Sequence, residues 1–335
     1  MTASPRSPQA TPVLQVDGLS VDFGRADDAV RIVDEVSFSL AAGETLGLVG
    51  ESGCGKSTTV LALLRLLPPR VSARVSGTVK LNGDDLLRLP EKALPAVRGR
   101  GITMIPQNPM TSLNPLFTIG RQLEECLDGP GVSPARRREL AIEQLRAVGI
   151  SEPERRLNQF PHELSGGMRQ RVVGACVTAR SPRVLIADEP TTALDATVQV
   201  QYLDMLKSLQ ARSGMAMLFV THDIGVVARI CDRIAVMYAG RIVESGKVDT
   251  VLRSPRHWYT RALIDSLPPL DRQLDRLPTI AGTLPRPGTI TEACRFAPRC
   301  PAAHDKCRTD IPPAVTDTDG HVVACWTPRE QGSGQ

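Results

Sequence analysis

The sequence predicts an α/β fold built on a parallel sheet, and three stretches carry that prediction. The first is Gly50-Glu51-Ser52-Gly53-Cys54-Gly55-Lys56-Ser57-Thr58, set between an apolar run, Thr45-Leu46-Gly47-Leu48-Val49, and a helix-like run, Thr59-Val60-Leu61-Ala62-Leu63-Leu64. The second is Val184-Leu185-Ile186-Ala187, which delivers Asp188 and Glu189. The third is Met215-Ala216-Met217-Leu218-Phe219-Val220, which delivers Thr221, His222 and Asp223. Near-continuous apolar runs suit strands covered on both faces. In open α/β sheets, ligands bind beyond the carboxyl ends of such strands.

The chain has 335 residues, enough for two or three domains and an ample core. Aromatics make up only 3% of it, so aliphatic side chains must fill that core. A net charge of +4 with no dense Lys/Arg block gives no argument for a nucleic-acid partner. Residues 1–12 read as a disordered tail without the apolar centre of a signal peptide. No apolar run reaches the roughly 18 residues that a membrane helix needs. The expectation is a soluble, cytoplasmic protein whose eight cysteines are ligands or buried thiols rather than disulfides.

In chain order, residues 14–23 alternate with period two and predict a strand ending at Phe23. That ring has two readings, a platform for a nucleotide base or a half-buried strand aromatic. Alternation returns over residues 31–40, and Ala42-Gly43 turns the chain into the run at Thr45. A strand over residues 77–83 ends in an Asn82-Gly83 turn. Ile102-Thr103-Met104-Ile105 is a short strand closed by Pro106-Gln107. Residues 116–160 look mostly helical, with a charged helix over 136–148 ended by Gly149. They predict an inserted helical subdomain. Residues 169–179 form a helix behind Ser165-Gly166-Gly167. Residues 196–212 form another, with Val198, Tyr202, Met205 and Leu209 on one face. A hairpin turns at Ala239-Gly240, and a last helix covers 250–266.

The spacing Gly-x-x-x-x-Gly-Lys-Ser explains what the first loop does. Its glycines let backbone N–H groups turn inward around an anion. The helix that follows adds unpaired N–H groups and the positive end of its dipole. Lys56 is placed to reach terminal phosphates, and Ser57 to hold Mg²⁺. The alternative, a glycine turn that binds nothing, does not account for the lysine, the hydroxyl and both flanking elements together. Asp188 is placed to order Mg²⁺ through water, and Glu189 to polarise an attacking water. Ser165-Gly166-Gly167 either offers N–H groups to a second anion or simply caps its helix.

From Pro268 the composition shifts to Pro, Arg and Asp. Cys294, Cys300, Cys307 and Cys325 fall in this segment, with five, six and seventeen residues between them. A segment so poor in apolar residues cannot easily build its own core, and a bound metal would cross-link it. The spacing matches neither a Cys-x-x-Cys zinc site nor a ferredoxin. The identity of the metal therefore stays open. Cys54, Cys126, Cys176 and Cys231 read as packing residues.

Residues 13–266 resemble the ATP-binding subunit of an ABC transporter, through six motifs in order. Residues 50–58 resemble Walker A, whose residues Gly50, Glu51, Ser52, Gly53, Cys54, Gly55, Lys56, Ser57 and Thr58 would surround the ATP phosphates. Gln107 resembles the Q-loop glutamine. Leu164-Ser165-Gly166-Gly167-Met168 is similar to the family signature, with Met where Gln is common. Val184 to Asp188 resembles Walker B, followed by Glu189 as catalytic glutamate. Ala193-Leu194-Asp195 resembles the D-loop and His222 the switch histidine. Phe23 takes the place of the aromatic that stacks on adenine, often Tyr. The fold implied is a P-loop, RecA-like ABC ATPase core with an antiparallel β subdomain and a helical subdomain at about 108–165.

Two further stretches resemble the oligopeptide/dipeptide importers. One is Gln107-Asn108-Pro109-Met110-Thr111-Ser112-Leu113-Asn114-Pro115. The other is Cys294-Arg295-Phe296-Ala297-Pro298-Arg299-Cys300-Pro301, within a small, loop-rich extension over 267–335. This resemblance implies a [4Fe–4S] cluster on Cys294, Cys300, Cys307 and Cys325. Zinc is the alternative metal, and disulfide pairing a third reading.

The same resemblance implies a head-to-tail pair of ATPase subunits. ATP held by Lys56, Ser57 and Asp188 of one would be covered by Ser165, Gly166 and Gly167 of the other, with Asp195 nearby. Glu189 would activate water, His222 would contact the terminal phosphate, and Gln107 would join the Mg²⁺ site. The partners implied are a second ATPase, most simply a paralogue, two permeases and an extracytoplasmic binding protein. Cargo is peptide, with glutathione or metal chelates as alternatives. An ABC ATPase acting on DNA or the ribosome would carry a coiled-coil insertion or a second phosphate loop, and the sequence has neither.

Overall fold

A computed structural model of the chain describes residues 11–25, 28–192, 194–267, 279–288 and 292–329. Residues 1–10 of the expected tail and Ala193 of the D-loop lie outside the described residues.

The first unit is antiparallel. Strands β1 (Leu14–Phe23), β2 (Val30–Leu40), β4 (Arg74–Leu81) and β5 (Asp84–Asp85) make a sheet in the order β2-β1-β4-β5. Leu14, Val16, Leu19 and Val21 of β1 are fully buried, as alternation with a local irregularity demands. Asn82 and Gly83 both take positive φ, the conformation of a two-residue hairpin turn.

The second sheet runs β11-β12-β10-β9-β3-β8-β7-β6, where β10 is Arg241–Lys247, β11 is Ala314–Thr316 and β12 is Val322–Ala324. Its parallel centre consists of β3 (Thr45–Val49), β6 (Ile102–Ile105), β7 (Val184–Asp188), β8 (Ala216–Thr221) and β9 (Arg233–Tyr238). Every residue of β3, β7 and β8 is buried, so these runs are apolar because both faces are covered. Helix α1 (Lys56–Leu63) leaves the end of β3, and α2 (Leu94–Arg100) precedes β6. The strand ends meet on one edge of this sheet, which is what gathers residues 50–58, 107, 188–189 and 222.

Between β6 and β7 lie α3 (Ile119–Cys126), α4 (Pro134–Ala147), α5 (Pro153–Arg156) and α6 (Gly166–Thr178). The hydroxyls of Thr118, Ser133 and Ser165 cap α3, α4 and α6. Leu123, Leu145, Val148 and Val172 form their common core, which continues into Leu185 and Phe219 of the sheet. Helix α6 begins three residues before the predicted start, because Ser165 is the cap and both glycines are helical. Helix α7 (Ala196–Ser213) follows β7, and α8 (Ile224–Ile230) follows β8.

Two expectations are corrected at the C-terminal end. The single helix predicted over 250–266 is two, α9 (Val248–Arg253) and α10 (Trp258–Asp265). Pro255 lies between them and has no N–H to continue a helix. The N–H groups of Arg256 and His257 instead donate to the buried carboxylate of Glu244, at 2.7 and 3.0 Å. The extension, expected to lack a core, shares one. After the short helix α11 (Asp305–Thr309), β11 (Ala314–Thr316) and β12 (Val322–Ala324) extend the main sheet, with β12 pairing to β10 (Arg241–Lys247). His321 of the extension lies 2.7 Å from Glu244, both fully buried. Phe296 is buried against Tyr238 and Tyr259, with ring centroids 5.2 and 5.5 Å away.

Candidate active site

The loop after β3 is closed by its surroundings. A Cβ on Gly50 would lie 2.1 Å from the Met237 carbonyl oxygen of β9, so no larger residue fits. Gly55 caps α1 at φ 108°, a left-handed conformation that glycine adopts without strain. Lys56, only 4% exposed, turns its ammonium into this loop and donates to the carbonyls of Gly50 (2.7 Å) and Glu51 (3.0 Å). Cys54 is buried beneath it, and burial raises its thiol pKa.

Ser57, in the first turn of α1, donates from Oγ to Asp188 Oδ1 at 3.3 Å. Asp188 ends β7 and is 2% exposed. Burial pushes its carboxyl above the ordinary carboxylate range. Ser57 and Lys56 oppose that push, and the neighbouring Glu189 adds to it. A desolvated carboxylate beside a hydroxyl at the foot of a phosphate loop fits Mg²⁺, whose remaining ligands are oxygens of phosphate and water.

Glu189 takes a positive φ of 46° at the strand end, held by its N–H donating to the Val220 carbonyl at 2.9 Å. That backbone turns its side chain, 12% exposed, toward the loop. Four groups surround the carboxylate: Lys56 Nζ at 4.0 Å, His222 Nδ1 at 3.4 Å, Gln107 Nε2 at 3.5 Å and Thr192 Oγ1 at 3.4 Å. The structure therefore brings together Lys56, Ser57, Gln107, Asp188, Glu189 and His222, which arrive from four separate strand ends. A cleft of about 730 Å³ opens beside them, lined by Gly50, Glu51, Ser52, Glu189 and His222 on the sheet side. This group can bind an anion, a divalent cation and a water next to a carboxylate, the requirements of phosphoryl transfer to water.

Other predicted residues stand apart. Ser165, Gly166 and Gly167 are not among the described residues lining the cleft. The Ser165 hydroxyl accepts from the N–H of Met168 at 3.3 Å, the capping reading. Asp195 caps α7, accepting from the N–H groups of Thr197 and Val198 at 3.1 and 3.0 Å. Phe23 is half-buried against the core under β1, as a strand aromatic would be.

Of the four cysteines of the extension, Cys307 is buried and Cys294, Cys300 and Cys325 are half-buried. All four cysteines are free thiols. Among the described residues, no three His, Cys, Asp or Glu side chains stand together closely enough to hold a metal ion. Cys294 and Cys300 pack against the apolar cluster around Tyr238, Tyr259 and Phe296. The thiols still share a neighbourhood. Cys325 is raised to about 11, by burial first and then by the proximity of Cys294, Cys300 and Cys307.

Three residues escaped the sequence reading. Arg299 pairs with Glu51 through both guanidinium nitrogens, at 2.7 and 2.9 Å. The Tyr259 hydroxyl accepts from the Glu51 N–H at 2.9 Å, and the Tyr238 ring packs tilted against the Tyr259 ring at 4.6 Å between centroids. No local pattern marks them, because Tyr259 and Arg299 reach Glu51 across 208 and 248 residues and Tyr238 meets Arg299 across 61. Arg299 lies inside the motif around Cys294 and Cys300, where only the cysteines were given a role.

Residues 33–192 match the ABC transporter family, and residues 243–307 match the oligopeptide/dipeptide transporter C-terminal region. The chain is 48% identical over 326 residues to a probable peptide ABC transporter ATP-binding protein of Sinorhizobium fredii, covering 97% of each. It is 43% identical to the oligopeptide transport ATP-binding protein AppD of Bacillus subtilis, covering 96% of this chain and 99% of that one. Among solved structures it is similar to a dimeric bacterial ABC transporter cassette, with TM-score 0.61 and 28% identity over 70% of this chain and 98% of that one. The same cassette in a post-hydrolysis state bound to ADP and Pi matches equally well.

Proposed function

This chain belongs to the ATP-binding subunits of the oligopeptide/dipeptide ABC importers, and from that premise we propose how its residues divide the work. The subunit hydrolyses ATP to energise peptide import. Lys56 and the N–H groups of residues 50–58 bind the terminal phosphates. Ser57 and Asp188, with Gln107 at the rim, hold Mg²⁺, which offsets negative charge on the phosphates. Glu189 accepts the proton of the attacking water or orients it. His222, 3.4 Å from that carboxylate, fixes its direction and reaches the terminal phosphate. Phe23 stacks on the base.

The single observation that supports this best is the convergence of Lys56, Gln107 and His222 on one carboxylate, that of Glu189. The test is Glu189→Gln, measured in the assembled transporter. Hydrolysis should fall about 100-fold or more, a loss typical of removing a group that acts in proton transfer. ATP binding should persist and the ATPase pair should stay closed. Undiminished turnover in that variant rejects the assignment.

Ser165, Gly166 and Gly167, which stand outside this chain's own cleft, act on ATP held by a second ATPase subunit, and Asp195 lies at the same junction. That subunit is a paralogue or a second copy. Two permeases and an extracytoplasmic binding protein complete the assembly, with this subunit on the cytoplasmic face of the membrane. No helix among the described residues is long and apolar enough to cross a membrane. Leu116, 78% exposed within the stretch 108–120, offers the permease an apolar contact. Cys294, Cys300, Cys307 and Cys325 form a metal-binding set, of iron–sulfur or zinc type. Their shared neighbourhood and free thiols support this. Iron, sulfide and zinc analysis of anaerobically purified protein decides it, and a metal-free protein ends the reading.

A further inference from the structure

We propose that Arg299, in the C-terminal extension, is a positioning residue for ATP binding: it neutralises Glu51 at the mouth of the phosphate loop and fixes that residue in place. The inference rests on residues 50–58 being the nucleotide site.

Glu51 stands immediately after Gly50 and lines the cleft. An unpaired carboxylate there would repel the phosphates that the loop is built to attract. Arg299 faces it with a forked pair, Nη1 to Oε2 at 2.7 Å and Nη2 to Oε1 at 2.9 Å. Such planar, two-bond pairing is stronger and more directional than a single contact. The Arg299 side chain is 5% exposed, so the pair is shielded from solvent and salt on that side. The guanidinium is in turn held above its ordinary pKa by Glu51.

The remaining donors of Arg299 are committed. Nε donates to the Ala281 carbonyl at 2.8 Å, Nη2 also to Ile280 at 3.3 Å, and Nη1 also to the Tyr238 hydroxyl at 3.3 Å. One side chain therefore ties the phosphate loop to residues 280–281. Gly282 follows at φ 78°, where a Cβ would lie 3.2 Å from Arg299 Cγ. Past it, Leu284 packs against the core beneath the loop, and Gly288 lies against Val30, the β2 partner of Phe23. Residues 280–288 thus run from Glu51 toward the strand that carries Phe23. Tyr259 holds the Glu51 N–H from below, so backbone and side chain of this residue are both fixed from outside the loop. The extension sets nucleotide affinity through this contact.

The experiment measures KM and kcat for Mg-ATP in the complete transporter carrying Arg299→Gln, with and without Glu51→Gln. Arg299→Gln should raise KM about tenfold, within the range of couplings between distinct sites, and leave kcat within about twofold. Adding Glu51→Gln removes the exposed charge and should bring KM back to within about threefold of wild type. An unchanged KM in the single variant overturns the proposal. So does a double variant no better than the single, because a merely structural role would not be rescued by deleting the second charge. If Arg299→Gln does not fold by thermal unfolding, Arg299→Lys is measured instead. It keeps the cation without the fork and should raise KM about threefold, and an unchanged KM there overturns the proposal equally. Lys56→Ala in the same assembly separates the two readings. ATP binding that survives it rejects the loop as the nucleotide site, whereas lost binding beside a wild-type KM in Arg299→Gln rejects only Arg299.

Discussion

The turn at residues 50–55 and the turn at residues 165–167 both set glycines at the start of a helix, and the fold treats them differently. The first is enclosed: Lys56 is 4% exposed, Asp188 is 2% exposed, and Glu51 is held by Tyr259 and Arg299. The second lies outside the cleft, with Ser165 occupied in capping α6. A helix N-terminus that faces outward can serve an anion held by another molecule as readily as one that faces inward serves its own. On the proposed pairing of two ATPase subunits, the first turn would be completed within the chain and the second would serve a neighbour.

The largest effects should separate the turns by what a methyl group meets. Gly50→Ala places a Cβ 2.1 Å from the Met237 carbonyl, so the loop cannot close and ATP binding should be lost. Gly167→Ala meets only Val198 Cγ1 at 3.1 Å, so the unfolding temperature should stay near that of the wild type. Equal damage to folding in both would break the contrast, and a thermal melt with ATP titration checks it. Next is Ser165→Ala. If this turn serves a neighbour's ATP, transporter hydrolysis should fall roughly 10²-fold, as for loss of one donor to a developing charge. The isolated subunit's affinity for ATP should not move. Loss of the cap should cost only about 1 kcal/mol of stability. A weakened affinity in the isolated subunit would place the turn in this chain's own site.

The smallest effect concerns Asp188. Its folded pKa is raised, so the charged form costs stability. The folded state gains as pH falls through the raised value and loses that gain at neutral pH. Asp188→Asn, which carries no charge, should therefore melt higher than wild type at pH 7 without Mg-nucleotide. The difference should shrink as pH enters the carboxylate range. No pH-dependent difference would mean that burial at β7 imposes no strain on the enclosed turn.

Much of the cleft was legible because its residues sit at strand ends, where a buried apolar run marks the strand and the next residue marks the site. Lys56 is marked instead by the spacing of the loop after β3, and Asp188 is the last residue of its own strand, but Glu189 and His222 follow that rule. Gln107 follows it at the end of β6. The role proposed for Ser165 to Gly167 came only from the family resemblance, since the spacing alone equally describes a capped helix. Glu51 was legible as part of the phosphate loop, but its pairing with Arg299 was not, because 248 residues separate them. The break at Pro255 could have been read from its missing N–H, but the helical spacing on both sides masked it. The extension misled for another reason. Strands of three residues, as in β11 and β12, are too short to show alternation, and Phe296 finds its core among Tyr238 and Tyr259 rather than in its own segment.

The pairing of β12 onto β10 carries one more consequence. Without it, the stretch of β10 at Glu244 and Ser245 would lie on the rim of the sheet, open to any strand that drifted by. Glu244, lodged in that stretch and answered by His321, would then face an unfilled gap. The tail therefore acts as a selvedge: it finishes the border of the sheet, and a shortened chain would be prone to stick to its own copies before its chemistry was ever at issue.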